Sequence, residues 1–165
     1  SIVFQTLRES KALAYSVWGS YTVPDDKDEA HYIYSYIGTQ ADKMPEAMAG
    51  MFDLLNEFPE SGKCLRSSKE AIISKIRTER ITKSNILSEY EERERLGIED
   101  YNIRGNIYRK MPSLQMNDLK AFFNRYIKGR KYTVLVLGDM DKLDYNTLAK
   151  YGRVKQLTLE EVFGY

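Results

Sequence analysis

Residues 14–39, AYSVWGSYTVPDDKDEAHYIYSYIGT, contain two runs with the alternating pattern of β-strands. In the first run, apolar residues occupy every second position from Tyr15 onward, and the second run alternates through residues 30–39. Pro24, Asp25 and Asp26 open a charged turn region between the two runs. The stretch therefore predicts a long antiparallel hairpin, around which the other elements are expected to pack.

Helical periodicity occurs on both sides of this hairpin. Apolar spacings of three and four predict helices over residues 1–13 and 44–58. Ser67 and Glu70 have the spacing of a capping box, which predicts a long, charged helix that ends near Gly97. Further helices are predicted over residues 100–110, 112–129 and 143–150.

Two more strands are predicted near the end of the chain. Residues 131–138, KYTVLVLG, are almost continuously apolar and rich in β-formers, which indicates a central strand buried on both faces. A last short strand is predicted at residues 154–157. The sequence therefore predicts one α+β domain over residues 1–165, a layered domain whose mostly antiparallel sheet is packed by helices in a ferredoxin-like architecture.

Composition argues against several classes of function. The 165 residues include 25 basic and 24 acidic side chains, and a net charge of +1 disfavours general binding to nucleic acid or to anionic membranes. The sequence contains no run of 18 apolar residues, so no membrane span is predicted. With one His and one Cys, the chain lacks the soft ligands of a zinc site and cannot contain HxxEH. We expect no metal and no cofactor in this chain.

A few side chains are candidates for binding. Arg8 and Tyr15 lie at the two ends of the segment that joins the predicted first helix to the first strand, so that both could donate hydrogen bonds to a peptide carbonyl. The alternative is a surface Arg and a half-buried strand Tyr. The stripe of Tyr32, Tyr34 and Tyr36 could form an apolar platform for a ligand or pack under a helix. His31 is expected to be a strand-edge surface residue.

Residues 7–21, LRESKALAYSVWGSY, resemble the LRxxxxLAYSVxxxY segment of the insulinase/pitrilysin family of zinc metallopeptidases, which includes the mitochondrial processing peptidase. Other parts of the chain agree with the same family. Residues 34–58 are similar to its strand and following helix, residues 69–80 to its long helix, and residues 132–143 to a strand and turn near the end of a family domain.

The resemblance implies a specific role within a larger enzyme. Family members combine a catalytic domain that bears HxxEH with a homologous partner domain that lacks it, and the two close around an unfolded peptide. This chain resembles most of the C-terminal, non-catalytic partner, truncated at its N-terminus before Ile2. Arg8 and Tyr15 match the partner domain's substrate-binding Arg and Tyr, while zinc is implied only for the catalytic domain.

The expected function is therefore substrate binding in an insulinase-like zinc metalloendopeptidase, with no catalytic residue in this chain. The expected partners are a homologous catalytic domain, in the same or a sister chain, and a peptide substrate. The alternative is a scaffold or protein-interaction domain of the same fold that has lost catalysis. A ferredoxin-like nucleic-acid module is disfavoured by the balanced charge. The compartment, periplasm or cytoplasm, stays open.

Overall fold

The computed structural model describes residue 7, residues 13–99 and residues 102–165, so the predicted helix over residues 1–13 lies almost entirely outside the described residues. Within that part of the chain, seven α-helices accompany one two-stranded antiparallel sheet. The α+β class is confirmed. The finer prediction, a larger insulinase-like layered sheet, is not confirmed by two strands and stays a prediction.

The predicted hairpin is confirmed. Strand β1 (Ser16–Thr22) pairs antiparallel with β2 (Tyr32–Gly38), and the register runs from Ser16 opposite Gly38 to Thr22 opposite Tyr32. At the turn end, the Tyr21 ring stacks on His31 with centroids 5.5 Å apart, and the Tyr21 hydroxyl lies 2.9 Å from His31 Nδ1. This pair closes the hairpin beside its charged loop.

The helices follow the hairpin in sequence order. They are α1 (Met44–Asn56), α2 (Gly62–Thr78), α3 (Lys83–Leu96), α4 (Ile103–Lys110), α5 (Met116–Tyr126), α6 (Tyr145–Tyr151) and α7 (Leu159–Phe163). Short 3-10 turns lie at Ala41–Lys43, Met111–Ser113 and Met140–Lys142. Among the described helices, none combines the length and apolar character needed to cross a membrane.

Helix α1 covers one face of the hairpin. Met51, on this helix, is buried against Val17 of β1 and against Leu7, with exposed fractions of only 8%, 6% and 0%. Ile37 of β2 packs at the edge of this cluster. Burial of each such side chain contributes about 1.5–3 kcal/mol, which is large for a sheet of two strands.

A second apolar cluster joins α1 to α6. Met44 and Met48 are buried against Leu148, and the Phe52 ring stacks on Tyr151 at a centroid distance of 4.5 Å. The edge of the Tyr132 ring also approaches Phe52, at 6.4 Å. Helix α1 therefore contacts both the hairpin and the C-terminal segment.

The prediction of one long helix from Ser67 to the region of Gly97 is wrong in two respects. The helix begins earlier, because the Ser61 hydroxyl accepts the Cys64 N–H (3.2 Å) and so caps α2. It also stops at Thr78, where the Arg104 guanidinium donates to the Glu79 carbonyl at 3.0 Å. This bond satisfies a carbonyl at the helix end, so the chain can leave the helix before α3 starts.

The helices α2, α3 and α4 have no buried residue, and cationic side chains of α2 bond to neighbouring segments. The Lys69 ammonium donates to the carbonyls of Pro112 and Leu114, at 2.7 and 2.9 Å. The Arg77 guanidinium makes two bonds to the Tyr108 hydroxyl, at 3.0 and 2.7 Å, and lies 5.4 Å from that ring's centroid. Polar contacts therefore connect this part of the molecule.

The two predicted C-terminal strands are not formed. Residues 131–138 and 154–157 belong to no sheet, and both stretches are largely exposed. Leu135 is 84% exposed and Leu137 is fully exposed, so the prediction of a strand buried on both faces is wrong for this structure. The composition favours a strand, but a strand also needs neighbours that accept and donate its backbone hydrogen bonds. No described strand supplies them. Helix α7, which follows the second stretch, was not predicted.

A paired substitution tests which apolar side chains stabilise the fold. Met51→Ala should lower the free energy of unfolding by about 2–4 kcal/mol, because it leaves a cavity between α1 and the hairpin. The matched control Leu135→Ala should change it by less than about 0.5 kcal/mol, because this side chain is already in water. Urea titration followed by circular dichroism measures both. Equal losses would show that residues 131–138 are packed.

A second substitution tests the cap of α6. The hydroxyl and N–H of Thr147 donate to the Asp144 carboxylate, at 2.7 and 3.1 Å, and hold the pKa of this carboxyl below its ordinary value. A lowered pKa in the folded state stabilises the protein above the unfolded pKa, and this contribution disappears as the pH falls through the folded pKa. Asp144→Ala should therefore lower the Tm at pH 7, and the difference should shrink below about pH 4.

The control for this test is Asp141→Ala. Asp141 lies in the 3-10 turn just before α6, and its carboxylate accepts no hydrogen bond from a described residue. Its substitution should leave the Tm almost unchanged at both pH values. A Tm difference for Asp144→Ala that stays constant from neutral to acidic pH would contradict a charge-dependent cap.

Candidate peptide-binding site

Tyr15 lies in a bend directly before β1, and its side chain is 66% exposed. Its N–H donates to the carbonyl of Gly38 at 2.8 Å, so the backbone of Tyr15 extends the hairpin pairing by one step. Its hydroxyl accepts a hydrogen bond from the Gln40 side-chain amide at 2.5 Å. The phenol is therefore hydrogen-bonded to Gln40 and open to solvent, unlike the half-buried strand Tyr of the alternative prediction.

A small recess surrounds this hydroxyl. Its volume is about 100 Å³, and it is lined by Leu13, Ala14, Tyr15, Thr39, Gln40 and Lys43. The Thr39 hydroxyl donates to the Leu13 carbonyl at 2.5 Å, which ties the two walls together. The recess is large enough to admit water or a small polar group of a ligand.

The lining of the recess is rich in hydrogen-bond donors. Because the Tyr15 oxygen accepts from Gln40, its own proton is available to a ligand. Lys43 adds an ammonium group with three donors, and among the described residues no carboxylate pairs with it. An acceptor such as a peptide carbonyl fits this set, whereas a cationic ligand does not.

Of the two predicted substrate-binding residues, Arg8 and Tyr15, only Tyr15 is among the described residues. Tyr15 is placed as described, but Arg8 lies outside the described residues, so its position relative to the Tyr15 hydroxyl is not tested. A larger open recess, of about 420 Å³, lies where α3 ends and contains none of the predicted site residues. The Tyr15 recess is therefore the candidate site.

Sequence analysis missed three lining residues, Thr39, Gln40 and Lys43. The signal that could have found the first two is the hairpin register. Because Ser16 pairs with Gly38, the residues just after Gly38 must lie beside the residues just before Ser16. Lys43 follows in the 3-10 turn that leads into α1, and no pattern in the sequence marks it.

None of the described helices covers the tyrosine stripe. Trp18, Tyr32, Tyr34 and Tyr36 are on the hairpin face opposite to Val17, and each is about half exposed. Trp18 stacks on Tyr36 with centroids 5.8 Å apart. Helix α1 covers the other face, so packing under this helix is excluded, and the ligand platform stays a prediction.

Gly38 helps to shape this open face. Tyr36 leans along β2 toward it, and a Cβ at position 38 would lie 3.1 Å from the Tyr36 hydroxyl oxygen and 3.5 Å from Cε1. A larger residue would therefore push the ring away from its stack with Trp18. The residues that pair across this face are aromatic, hydroxyl-bearing or glycine, and none is charged.

Comparison with protein-family models, with curated proteins and with solved structures finds no match for this chain. The site must therefore be interpreted from its own geometry and from the sequence resemblance.

The chain should hold no zinc tightly. Among the described residues, no group of three His, Cys, Asp or Glu side chains is arranged to bind a metal ion. Isothermal titration of the 165-residue chain with zinc chloride should give no stoichiometric site of submicromolar Kd. A stoichiometric site of that affinity that vanished in a His31→Ala or Cys64→Ser variant would contradict this prediction.

Proposed function

We propose that this chain is a non-catalytic, substrate-binding domain of an insulinase-like zinc metalloendopeptidase that cleaves unfolded peptides in a closed chamber. The observation that carries the proposal is the Tyr15 hydroxyl, which is exposed, accepts a hydrogen bond from Gln40 and lies in a recess that Lys43 also lines. The resemblance of residues 7–21 supplies the family, because Tyr15 occupies the position of the family's substrate-binding Tyr.

In this proposal the chain holds the substrate backbone. A peptide carbonyl enters the recess and accepts hydrogen bonds from the Tyr15 hydroxyl and the Lys43 ammonium, while Arg8 adds a guanidinium by the same resemblance. No metal-binding group is found among the described residues, and the resemblance implies zinc only for the homologous catalytic domain. The proposal therefore assigns no chemical step to this chain.

Hydrogen-bond donors that are in position before the substrate arrives stabilise the negative charge that develops on the peptide carbonyl oxygen in the transition state. They thereby lower the activation barrier of peptide hydrolysis. Loss of one such donor typically costs 10²–10³ in rate, or about 3–4 kcal/mol. The bond from Gln40 to the Tyr15 hydroxyl supports this role, because it favours one orientation of the hydroxyl before a substrate arrives. A side chain that had to be ordered on binding would first lose conformational entropy.

The second candidate is a scaffold or protein-interaction domain, and the open aromatic face favours it. Trp and Tyr are enriched at the energetically dominant positions of interfaces, and this face presents four of them without a charged residue. The two candidates differ in which surface matters. Peptide binding depends on the Tyr15 recess, whereas an interaction domain depends on the face around Trp18.

Substitution of Tyr15 tests the first candidate in the complete enzyme, that is, with its catalytic domain. Tyr15→Phe should lower kcat and kcat/KM together by about 10²–10³, because the lost bond acts in the transition state. Loss of uniform binding would instead raise KM alone. The Tm should be almost unchanged, because the hydroxyl and Gln40 are exposed. Steady-state kinetics and thermal melts provide both values.

The matched control is Tyr34→Phe. Tyr34 is a half-exposed tyrosine of the same hairpin, and its hydroxyl bonds to no described residue. The activity of the Tyr34→Phe enzyme should therefore stay within about twofold of the native value. Arg8→Ala should act like Tyr15→Phe. If both Arg8→Ala and Tyr15→Phe fold normally and keep full activity, the peptide-binding proposal fails and the interaction domain becomes preferred.

A further inference from the structure

The hairpin face opposite to Val17, here called the aromatic face, presents its rings in pairs. Trp18 stacks on Tyr36 with centroids 5.8 Å apart, and Tyr32 leans on Tyr34 at 5.9 Å. Each of the four side chains is 48–50% exposed. Tyr and Trp provide a large contact area at a low cost in conformational entropy, so paired rings of this kind are suited to binding.

The aromatic face carries hydrogen-bond donors but no charge. The indole N–H of Trp18 and the hydroxyls of Tyr32 and Tyr36 bond to no described residue. The other residues that pair across this face are Ser, Thr or Gly. An indole N–H only donates, and a phenol hydroxyl can donate as well as accept. A ligand that fits this face therefore combines apolar surface with hydrogen-bond acceptors.

These two requirements distinguish between ligand conformations. An α-helix uses its own backbone carbonyls, except at its C-terminal end, and would leave the donors of the face without backbone partners. A polyproline II segment has no internal hydrogen bonds, so its carbonyls are free, and proline has no N–H that needs an acceptor. Its rings supply the apolar surface. Proline-rich segments are recognised in aromatic-lined grooves for these reasons.

The loop between the two strands adds negative charge at one end of the face. Residues 25–29, DDKDE, contain four carboxylates and one ammonium, which give a net charge of −4 + 1 = −3. Asp25, Asp28 and Glu29 are exposed, and no ion pair joins them to a described residue. The loop follows the end of the hairpin at which Thr22 pairs with Tyr32. A basic residue at the adjacent end of a ligand would therefore be attracted to it.

We propose that the aromatic face binds a proline-rich segment of a partner protein, in the polyproline II conformation, with a basic residue at the end that reaches the loop. The lengths agree, because β1 has seven residues and spans roughly 20 Å, while six prolines span about 19 Å. The inference goes beyond the proposed function, because it does not use the Tyr15 recess. The segment belongs to another protein, since the four prolines of this sequence are isolated: Pro24, Pro45, Pro59 and Pro112.

Fluorescence titration of the 165-residue chain tests the proposal, because Trp18 is its only tryptophan and lies on the aromatic face. The probe is acetyl-KPPPPPPK-amide, which contains no aromatic residue and carries a basic residue at both ends. At low salt it should change the Trp18 emission in a saturable way, with a Kd below about 1 mM. The equally charged acetyl-KSGSGSGK-amide should bind at least about tenfold more weakly, because a flexible chain must be ordered on binding and lacks the rings.

A third peptide, acetyl-EPPPPPPE-amide, tests the role of the loop. It should bind at least about fivefold more weakly than acetyl-KPPPPPPK-amide at low salt, and about 0.5 M NaCl should remove most of this difference. The combined substitutions Asp25→Asn and Asp28→Asn should reduce the same difference, while the saturable change of the Trp18 emission should remain.

A matched pair of variants tests the rings. Tyr36→Ala should weaken binding of acetyl-KPPPPPPK-amide at least about tenfold, because it removes the ring that stacks on Trp18. The control Tyr165→Ala removes an 86% exposed tyrosine outside the hairpin, and its Kd should stay within about twofold of the native value. Circular dichroism checks that both variants fold. If Tyr36→Ala unfolds, Tyr32→Ala at the loop end of the face takes its place.

Four results would overturn the proposal. They are no saturable change up to about 5 mM probe, equal binding of acetyl-KSGSGSGK-amide, equal binding by the folded ring variant, and a dimer that excludes the probe and that the ring variant dissociates. The last result would make a second copy of the chain the occupant. None of them affects the kinetics expected for Tyr15→Phe, so the proposed function would stand or fall separately.

Discussion

The packing of Met51 against Val17 is the contact on which the other features depend. A two-stranded hairpin is marginally stable by itself in water, and this hairpin is stabilised because α1 covers one of its faces. The same contact leaves the opposite, aromatic face open. It also fixes the path of the chain from Gly38 through Gln40 into α1, and that path places Gln40 and Lys43 around the Tyr15 hydroxyl.

The elements that the sequence predicted correctly are those whose partners are close along the chain. Both strands of the hairpin lie within residues 14–39, so alternation and a turn were enough to predict them. The helix break at Thr78 could not be predicted, because it depends on Arg104, a residue distant along the chain. The segment at residues 131–138 has the composition of a central strand, but composition does not show whether neighbouring strands are present.

In the candidate site, too, some features could be predicted from the sequence and others depend on how distant residues pack. Tyr15 was chosen as a candidate because residues 7–21 resemble the family segment that carries a substrate-binding Tyr, and the structure shows that its side chain is exposed. Its hydrogen-bond partner depends on the register of a pairing that begins only after it, and an alternating pattern does not determine that register. Lys43 depends in addition on the 3-10 turn that precedes α1. Sequence therefore indicated the residue, and packing determined its chemical surroundings.

The absence of buried residues in helices α2, α3 and α4 has a consequence for the order in which the molecule opens. Helix α2 is attached through Lys69 and Arg77 by hydrogen bonds to carbonyl and phenol oxygens, which are exposed except for the partly buried bond to Leu114. Water can replace exposed bonds of this kind at little cost. The apolar clusters around α1 have no such substitute. We therefore expect α2 and α4 to open before the hairpin and α1 do, which gives the described part of the chain two levels of local stability.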